Sequence, residues 1–478
     1  MMRPELAKME EKDLKKTHSR ERRRRILAAV AVLAAMAVSA AYGFLLKPHR
    51  LFPYGLLNRR HVAAHTPKGL EHARPASGGT IASRGDLERL TDLPYLRGYR
   101  PPTVQSGVLI HDRSRAENGL NFFTSSHAPV AILMDMDGAV MKSWTADAGK
   151  VFPGYRLDAK HEGYDHFFRD AELLPDGGIV ALFNEIGIVR LDPASRVLWT
   201  FPGHVHHDLF IGQGGTVWAL AHEKRVVTDF RDHPVLEDFI LLLSPEGKLL
   251  RRISVLDCFR QSEYAPVLAS VPSETEDIFH TNSLIVLDGS LANRSPAFRR
   301  GNLLLSFRNL SMIAVVDPDE GRIVWALTGL WRGQHSARLP SNGHLVLFDD
   351  LGSMRKASRV LEVDPFTQEV VWSFSGLPGQ ELLSESGGYV ERLRGGNTLI
   401  TETNNGRVFE VTPDNRVVWE FANPNRVGKN NELVAILYFM ERVPRNLPFL
   451  SGPANPPPSK SSAVIRVGSP DSSASSSR

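Results

Sequence analysis

The chain has 478 residues, of which 42% are hydrophobic and 8% aromatic, and its formal net charge is only +4 at pH 7. This amount of apolar material can form a large core, either in several ordinary domains or in one repeat architecture. The basic excess lies in the first 25 residues, so the charge balance does not indicate a nucleic-acid partner. Cys258 is the single cysteine, which excludes an intrachain disulfide and a cysteine-based zinc site.

The N-terminal segment has the pattern of a membrane anchor. Four arginines at 22–25 precede residues 26–46, a run of 21 residues without a charge, which as a helix spans roughly 30 Å. The positive-inside rule predicts a cytoplasmic tail at 1–25 and a body on the periplasmic or extracytoplasmic side. A cleaved signal peptide is the alternative, because Val38-Ser39-Ala40 has the small-residue spacing of a cleavage site. We expect an uncleaved single-pass anchor, and both alternatives export the body.

Composition divides the rest of the chain into three parts. Residues 47–104 contain a Pro/Gly/Ser-rich piece and are expected to form a stalk or linker, whereas residues 105–446 carry regular strand patterns. Residues 447–478 are rich in proline and serine with few apolar residues, which is typical of a disordered tail.

A strand pattern recurs within residues 105–446. Each unit has an alternating strand, a turn containing Gly, Asn or Asp, an apolar strand, a strand ending in Asp-Pro or Thr-Pro, and a strand ending in Trp. The spacing from Trp325 to Trp372 is 47 residues, as is that from Trp372 to Trp419. Four short strands at this spacing are typical of a β-propeller blade.

The units can be counted along the chain. Five complete units begin near Asp170, His207, His280, His335 and Tyr389. The sixth is split, with three strands between Phe122 and Trp144 and its opening strand at 435–443. Pairing of the chain ends would close the ring and remove exposed edges. The sequence therefore predicts an all-β, six-bladed propeller closed by its N- and C-terminal strands and preceded by one transmembrane helix; seven blades is the alternative count.

The first strand of each propeller blade lies next to the central channel. Alignment of the units on their turns gives one equivalent position on the first strand, occupied by Asp170, His207, His280, His335, Tyr389 and Phe439. The matching position on the second strand carries Asn184, Ala221, Arg308, Asp349 and Glu402. A lone histidine at a strand start is usually structural, but three at one repeat position favour a functional cluster. Zinc or iron binding by these histidines is an alternative, which the like charge of Arg308 opposes.

Several motifs around these residues resemble the bacterial aryl sulfotransferase family, the exported and nucleotide-independent kind. The motifs occur in the family's order over roughly residues 105–445: His206-His207-Asp208, Phe279-His280-Thr281-Asn282-Ser283, Ser306-Phe307-Arg308, Gln334-His335-Ser336-Ala337 and Leu347-Phe348-Asp349-Asp350. The resemblance implies transfer of a sulfuryl group from a phenolic sulfate ester to a phenolic acceptor by a ping-pong route. It requires neither a metal nor an organic cofactor.

The resemblance also implies roles for individual residues. His335 would attack sulfur and carry the group as sulfohistidine, while His207, His280 and Arg308 would hold the sulfuryl oxygens. His206 is an alternative to His207, and either His207 or His280 could carry the phenolic proton. The substrate would further contact the side chains of Tyr389, Phe439 and Asn282, the two aromatic rings stacking on the phenyl group or else serving only as core.

The chain departs from the best-known family members in three respects. They carry a β-sandwich domain before the propeller and a cysteine-bridged insertion before the catalytic histidine, and a histidine stands where this chain has Asn309. Two other function classes stay open at this point. One is a catalytically inactive, membrane-tethered binding or scaffold propeller, and the other is a different propeller enzyme, such as a metal-dependent hydrolase or lyase.

Overall fold

The computed structural model describes residues 98, 100–103, 105–154, 167–352, 357–428 and 430–450. The predicted anchor at 26–46, nearly all of the stalk and most of the C-terminal tail lie outside these residues. Within the described ranges, no helix is both long and apolar enough to cross a membrane.

The described residues form short strands joined by tight turns. In chain order they begin with β1 (Gly107–His111), β2 (Leu120–Thr124), β3 (Val130–Met134), β4 (Val140–Thr145), β5 (Phe168–Leu173), β6 (Ile179–Phe183), β7 (Gly187–Leu191), β8 (Val197–Pro202), β9 (Val205–Ile211), β10 (Val217–Val226), β11 (Pro234–Leu243), β12 (Leu249–Ser254), β13 (Thr281–Val286) and β14 (Leu303–Phe307). They continue with β15 (Met312–Asp317), β16 (Arg322–Thr328), β17 (His335–Arg338), β18 (Leu345–Asp349), β19 (Arg359–Val363), β20 (Val370–Phe374), β21 (Gly376–Leu377), β22 (Gln380–Glu381), β23 (Tyr389–Arg392), β24 (Thr398–Glu402), β25 (Arg407–Val411), β26 (Val417–Ala422), β27 (Arg426–Val427), β28 (Leu433–Val434) and β29 (Met440–Val443).

Helical structure in the described ranges is limited to single turns or slightly more. The α-helices are α1 (Ala148–Val151) and α2 (Val255–Arg260), and 3₁₀ turns occur at Gln213–Gly215, Ala265–Ser270, Pro296–Phe298, Thr403–Asn405 and Pro448–Leu450. Helix α2 begins directly after Ser254, whose hydroxyl accepts the Asp257 backbone N–H at 3.1 Å, a standard N-cap.

The strands pair into six antiparallel blades, which confirms the predicted all-β, six-bladed propeller. Blade 1 is β5–β8, blade 2 is β9–β12, blade 3 is β13–β16, blade 4 is β17–β20, blade 5 is β23–β26, and blade 6 is β29 followed by β2–β4. Strand β1 adds a fifth strand beside β26 in blade 5. The pairs β21–β22 and β27–β28 are separate small hairpins.

Blade 6 closes the ring with strands from both ends of the described chain, as predicted. Its opening strand, β29, is shorter than the expected 435–443 segment and pairs with β2 from Leu120↔Val443 to Phe123↔Met440. Arg442 of β29 donates from Nη1 to Oε2 of Glu410 in blade 5 at 3.0 Å, and both side chains are buried. A buried ion pair therefore joins the two blades beside the closure.

The repeated tryptophans explain the regular spacing seen in the sequence. Four of the indole Nε1–H groups donate to a backbone carbonyl in a turn of the next blade: Trp144 to Gly177, Trp199 to Pro245, Trp372 to Pro413 and Trp419 to Met136, at 2.8–3.2 Å. A half-buried or buried tryptophan usually has such a partner for its N–H. The end of one blade is thereby tied to its neighbour, while buried aliphatic and aromatic side chains fill the space between the sheets.

Candidate functional site

Bulges in the first strands turn polar side chains into one mouth of the channel. The pairing of first and second strands is interrupted in blades 1 to 4. The backbone φ angles of His207, His280 and Ser336 are 59°, 49° and 51°, in the left-handed region that residues with a β-carbon rarely adopt. A bulge re-aims the side chains of its strand, and such uncommon backbone conformations cluster at functional sites.

The three predicted histidines lie together at these bulges. The ring centroid of His207 is 4.9 Å from that of His280 and 6.2 Å from that of His335. All three side chains are mostly buried. The structure therefore brings together the histidines that the sequence repeat predicted to be neighbours, although they come from blades 2, 3 and 4.

His335 is held as a neutral imidazole with one nitrogen occupied. Its Nδ1 lies 3.2 Å from the Gly333 carbonyl, to which it can donate, and 2.8 Å from Oδ2 of Asp350. Burial, and then the positive charge of Arg308, lowers the pKa of His335 well below its usual value. With the proton on Nδ1, the lone pair is on Nε2, the form of imidazole that can act as a nucleophile.

Asp350 supports His335 but is itself buried, with 1% of its surface exposed. Burial raises the pKa of this carboxyl well above its usual value, and the charge of Arg308 acts in the opposite direction. The carboxylate form is therefore stabilised by positive charge at Arg308 or on the imidazole of His335. The attraction between Asp350 and His335 is therefore stronger when the imidazole of His335 is cationic than when it is neutral.

His280 has its own carboxylate partner. Its Nδ1 is 2.5 Å from Oδ2 of Asp277. Burial opposes ionisation of Asp277, but the nearby His280 outweighs burial and the pKa of Asp277 is lowered. A carboxylate in this position orients the ring, so His280 is well placed to pass a proton to or from a bound group.

Arg308 follows the second strand of blade 3, next to His280. Its backbone N–H donates to the His280 carbonyl at 3.2 Å, and its Nη1 donates to Oδ1 of Asn309 at 3.3 Å. Asn309 in turn donates from Nδ2 to the Asp277 carbonyl at 2.7 Å. The residue that departs from the family motif therefore links the arginine to the His280 loop.

The bulges change the register within the first strands. The residues eight positions before the turn glycines Gly177, Gly215 and Gly343 are Arg169, His207 and His335. The expected equivalent of the histidines in blade 1, Asp170, is one residue too late. His280 likewise precedes Asn282, which lies beside the bulge of its own blade. The expected equivalence was wrong for Asp170, because Arg169 occupies in blade 1 the position that His207 and His335 occupy in blades 2 and 4.

Arg169 is a site residue that the sequence pattern did not predict. Its guanidinium lies 3.7 Å from the ring centroid of Tyr438, and the side chain is buried. Burial and the charge of His280 lower the pKa of His207, and the charge of Arg169 lowers it further. Burial, Arg308 and His280 lower the pKa of His335, and Arg169 again adds to the effect. Arg169 lines the same cavity as these two histidines. A count of eight residues back from the turn glycine identifies it, as it does His207 and His335.

The register error also affects the second strands. Seven residues after the turn glycines of blades 3 and 4 are Arg308 and Asp350, so Asp350 and not Asp349 is the counterpart of the arginine. The Asp349 carboxylate instead forms an ion pair with Arg359, whose Nε lies 2.8 Å from Oδ2.

The residue after each channel-facing position ties its blade to the next. The side chains of Asp170, Asp208, Ser283 and Ser336 accept the backbone N–H groups of Leu209, Leu284, Ala337 and Val390 at 2.8–3.2 Å. These contacts run from blade 1 to blade 5 in sequence. Asp170 is therefore a blade-to-blade contact, and burial followed by the charge of Asp208 raises its pKa well above the usual value.

The predicted substrate-contacting residues line the same small cavity as His207 and His335. Tyr389, Phe439 and Asn282 all border it, and its volume is about 30 Å³, room for a few water molecules at most. Asn282 donates to the Gln334 carbonyl at 2.8 Å, while the Tyr389 hydroxyl donates to Glu441 at 2.5 Å. The two aromatic rings pack on each other at 5.8 Å, so stacking of a phenyl group on them requires the cavity to widen.

Comparison with known proteins gives a family. The family model described as arylsulfotransferase (ASST) matches residues 171–424, and no curated protein matches the chain. Similar solved structures include a protein of unknown function from Bacteroides caccae, with 11% identity, a TM-score of 0.44 and coverage of 68% of this chain and 98% of that one. Virginiamycin B lyase from Staphylococcus aureus has 11% identity, a TM-score of 0.38 and coverage of 68% and 88%. The Cps50 (Swd1) propeller domain of Myceliophteria thermophila has 10% identity, a TM-score of 0.40 and coverage of 71% and 98%.

The family model accounts for more than half of the chain and extends from the first strand of blade 1 to the end of blade 5. It includes the three histidines, Arg308 and Asp350. This chain belongs to the arylsulfotransferase family.

Proposed function

We propose that the protein transfers a sulfuryl group from an aryl sulfate to a phenol, with His335 as the group that carries it between the two. The observation that supports this most strongly is the state of His335. It is a buried imidazole with Nδ1 directed at the Gly333 carbonyl and Asp350, and its pKa is lowered well below the usual value by burial and Arg308. A neutral imidazole beside a fixed cation suits attack on an anionic sulfate ester.

In the first step, the Nε2 lone pair of His335 forms a bond to sulfur while the bond from sulfur to the phenolic oxygen breaks. The electron pair leaves with the phenolate, which takes a proton from His280. The imidazole of His335 becomes cationic as the N–S bond forms. The Asp350 carboxylate, 2.8 Å from Nδ1, stabilises that charge more in the intermediate than in the free protein.

In the second step, an acceptor phenol gives its proton to the same histidine, and its oxygen bonds to sulfur. The N–S electron pair returns to His335, which restores the free protein. His280 suits the proton transfer because Asp277 lies 2.5 Å from its Nδ1. The two half-reactions use one site in turn, so donor and acceptor need not be bound together.

Positive and hydrogen-bonding groups surround the sulfuryl oxygens in this arrangement. By analogy with phosphoryl transfer, the transition state is loose and catalysis is mostly positioning and charge stabilisation. Arg308 can donate two parallel hydrogen bonds, and His207 and Arg169 border the same cavity as His335. Removal of one such donor typically raises a barrier by about 2.7–4 kcal/mol.

The most direct experiment incubates the full-length chain with 4-nitrophenyl sulfate labelled with ³⁵S. We expect release of 4-nitrophenolate, an acid-labile label on His335, and passage of the label to added phenol. His335→Gln should form no adduct, whereas His344→Gln, on a turn at the start of β18, should behave as wild type. Absence of label transfer by the wild-type protein would support a binding or scaffold propeller instead.

The cellular location forms a second part of the proposal. The uncharged run at 26–46 after four arginines supports a single-pass anchor with the propeller on the extracytoplasmic side. In spheroplasts that express the full-length chain, external protease should digest the propeller. A propeller that stays protected until the membrane is lysed would refute this orientation.

A further inference from the structure

Blade 2 contains a second cluster of ligating side chains behind the proposed sulfuryl site. His206, His222 and Asp238 lie on the neighbouring strands β9, β10 and β11, where His206 is opposite Leu220 and His222 is opposite Asp238. One ligating atom from each of the three lies within 4.8 Å of those of the other two. Neither His222 nor Asp238 has a part in the sulfuryl transfer.

His206 provides an independent indication of a missing partner. Its side chain is 2% exposed, and its Nε2 has no hydrogen-bond partner among the described residues. The nearest carboxylate oxygen, Oδ1 of Asp238, is 3.9 Å away, too far for a hydrogen bond. A buried polar atom left without a partner is costly, and an ion between these two atoms would remove that cost.

The surrounding contacts are those expected for ligands of a metal. Asp238 Oδ2 is fixed by the backbone N–H and hydroxyl of Thr281 at 2.9 and 2.5 Å. Nε2 of His222 is 2.8 Å from Oε2 of Glu185, the carboxylate–histidine contact that commonly orients a ligand ring. The His222 side chain is 16% exposed, so the cluster is partly open to solvent on the side of this residue.

We propose that His206, His222 and Asp238 bind one divalent transition-metal ion, with Zn²⁺ as the ion of matching chemistry. Two imidazoles and one carboxylate are a donor set that zinc accepts, at bond lengths of about 2.0–2.2 Å. In tetrahedral geometry the donor atoms are about 3.3 Å apart. Nε2 of His206 and Oδ1 of Asp238 are 3.9 Å apart, so each side chain needs to move by a few tenths of an ångström. A water molecule would complete the coordination on the exposed side of His222.

The ion would also set the hydrogen bond between the two adjacent histidines. Nδ1 of His206 and Nδ1 of His207 are 2.9 Å apart, so one of these atoms donates to the other. Metal at Nε2 of His206 leaves the proton on its Nδ1, which then donates to His207. His207 must in that case carry its own proton on Nε2, as a donor. This consequence for the sulfuryl oxygens rests on the proposed function, whereas the metal site does not.

Metal binding can be measured without any activity assay. The full-length chain, produced without a histidine tag and stripped with EDTA, would be titrated with Zn²⁺ by calorimetry, and with Co²⁺ by visible absorption. We expect one high-affinity Zn²⁺ per chain, and an affinity lowered by about 100-fold or more in His222→Gln. His344→Gln is the matched control, because His344 also contacts a carboxylate, Glu362 at 3.0 Å, but has no part in the cluster.

Two further measurements keep the outcome unambiguous. X-ray absorption at the zinc edge of the wild-type protein should show two imidazole ligands with oxygen ligands, and it needs no variant that folds. His335→Gln should bind Zn²⁺ as the wild type does. No stoichiometric Zn²⁺ in the wild type, equal binding by His222→Gln, or binding lost only in His335→Gln would each overturn the proposal. A protein that binds zinc but transfers no label would contradict the proposed function alone.

Discussion

Replacement of Asp350 by Asn tests whether this carboxylate stabilises positive charge on His335. Oδ2 of Asp350 lies 2.8 Å from Nδ1 of His335 but makes no hydrogen bond among the described residues, so it acts through its charge; an opposite charge this close typically contributes about 1.4–4 kcal/mol. Loss of that contribution in the transition state lowers the rate of donor sulfuryl transfer by about 10- to 1,000-fold. The effect grows if the Asn amide donates to Nδ1, because the ring proton then moves to Nε2 and blocks the lone pair.

The same substitution should not weaken the fold. Burial raises the pKa of Asp350 well above its usual value, so its contribution to stability is fully present below the unfolded-state pKa and is lost as pH rises through the folded-state pKa. A neutral amide of the same shape avoids that loss. At pH 7 we therefore expect an unfolding temperature equal to or above that of the wild type, together with the slower reaction.

The assay is the pre-steady-state burst of 4-nitrophenolate, measured beside thermal unfolding of each variant. Asp349→Asn serves as the control, because the Asp349 carboxylate is buried and lies 2.8 Å from Nε of Arg359. The burst rate of that variant should stay close to the wild-type value, because its carboxylate pairs with Arg359. A wild-type burst rate in Asp350→Asn, or a slower burst that accompanies a clear loss of stability, would refute the reasoning.

Three other substitutions have defined outcomes. Arg308→Met removes the charge that, after burial, lowers the pKa of His335, so the acid limb of the pH profile for donor kcat/KM should move to higher pH; an unmoved limb would contradict this assignment. Arg169→Met should raise the barrier by about 2.7–4 kcal/mol if the guanidinium contacts a sulfuryl oxygen, with little change in stability; a loss below threefold in donor kcat/KM would exclude the contact. Glu410→Gln leaves Arg442 charged and buried, so chemical denaturation should show a loss of about 3–5 kcal/mol, and a change below 1 kcal/mol would mean that the pair does not hold the closure.

Much of the fold was predictable because each blade meets the same physical demands. Every blade buries two faces between neighbours, and an indole N–H that reaches the next blade recurs on the outermost strand, so Trp372 and Trp419 record the period directly. The split sixth blade was predictable for a related reason, since a ring without exposed edges needs both chain ends in one sheet. The bounds of β29 were not predictable, because residues 435–439 have the apolar composition of a buried strand but lie before its first residue.

The histidines of the site could be predicted from the sequence, whereas the carboxylates that contact them could not. Three histidines near repeat positions drew attention to the channel, and the structure places them within contact of one another. A single-residue bulge interrupts the alternation of the first strand, so the hydrophobic pattern alone could not distinguish Arg169 from Asp170. Which carboxylate approaches which imidazole depends on loops between blades, and nothing in the local sequence marks Asp350 as the partner of His335.

The paired use of adjacent residues in the first strands has a consequence for how such a protein can change over evolution. The residue that faces the channel differs from blade to blade, as Arg169, His207 and His335 illustrate, while the next residue keeps an oxygen that accepts a neighbour's N–H. Chemistry and ring integrity therefore depend on separate side chains. New substrates can be accommodated by exchanging the first kind of residue alone, and the same ring can serve as a template for redesign in which the reacting groups are moved from one blade to another.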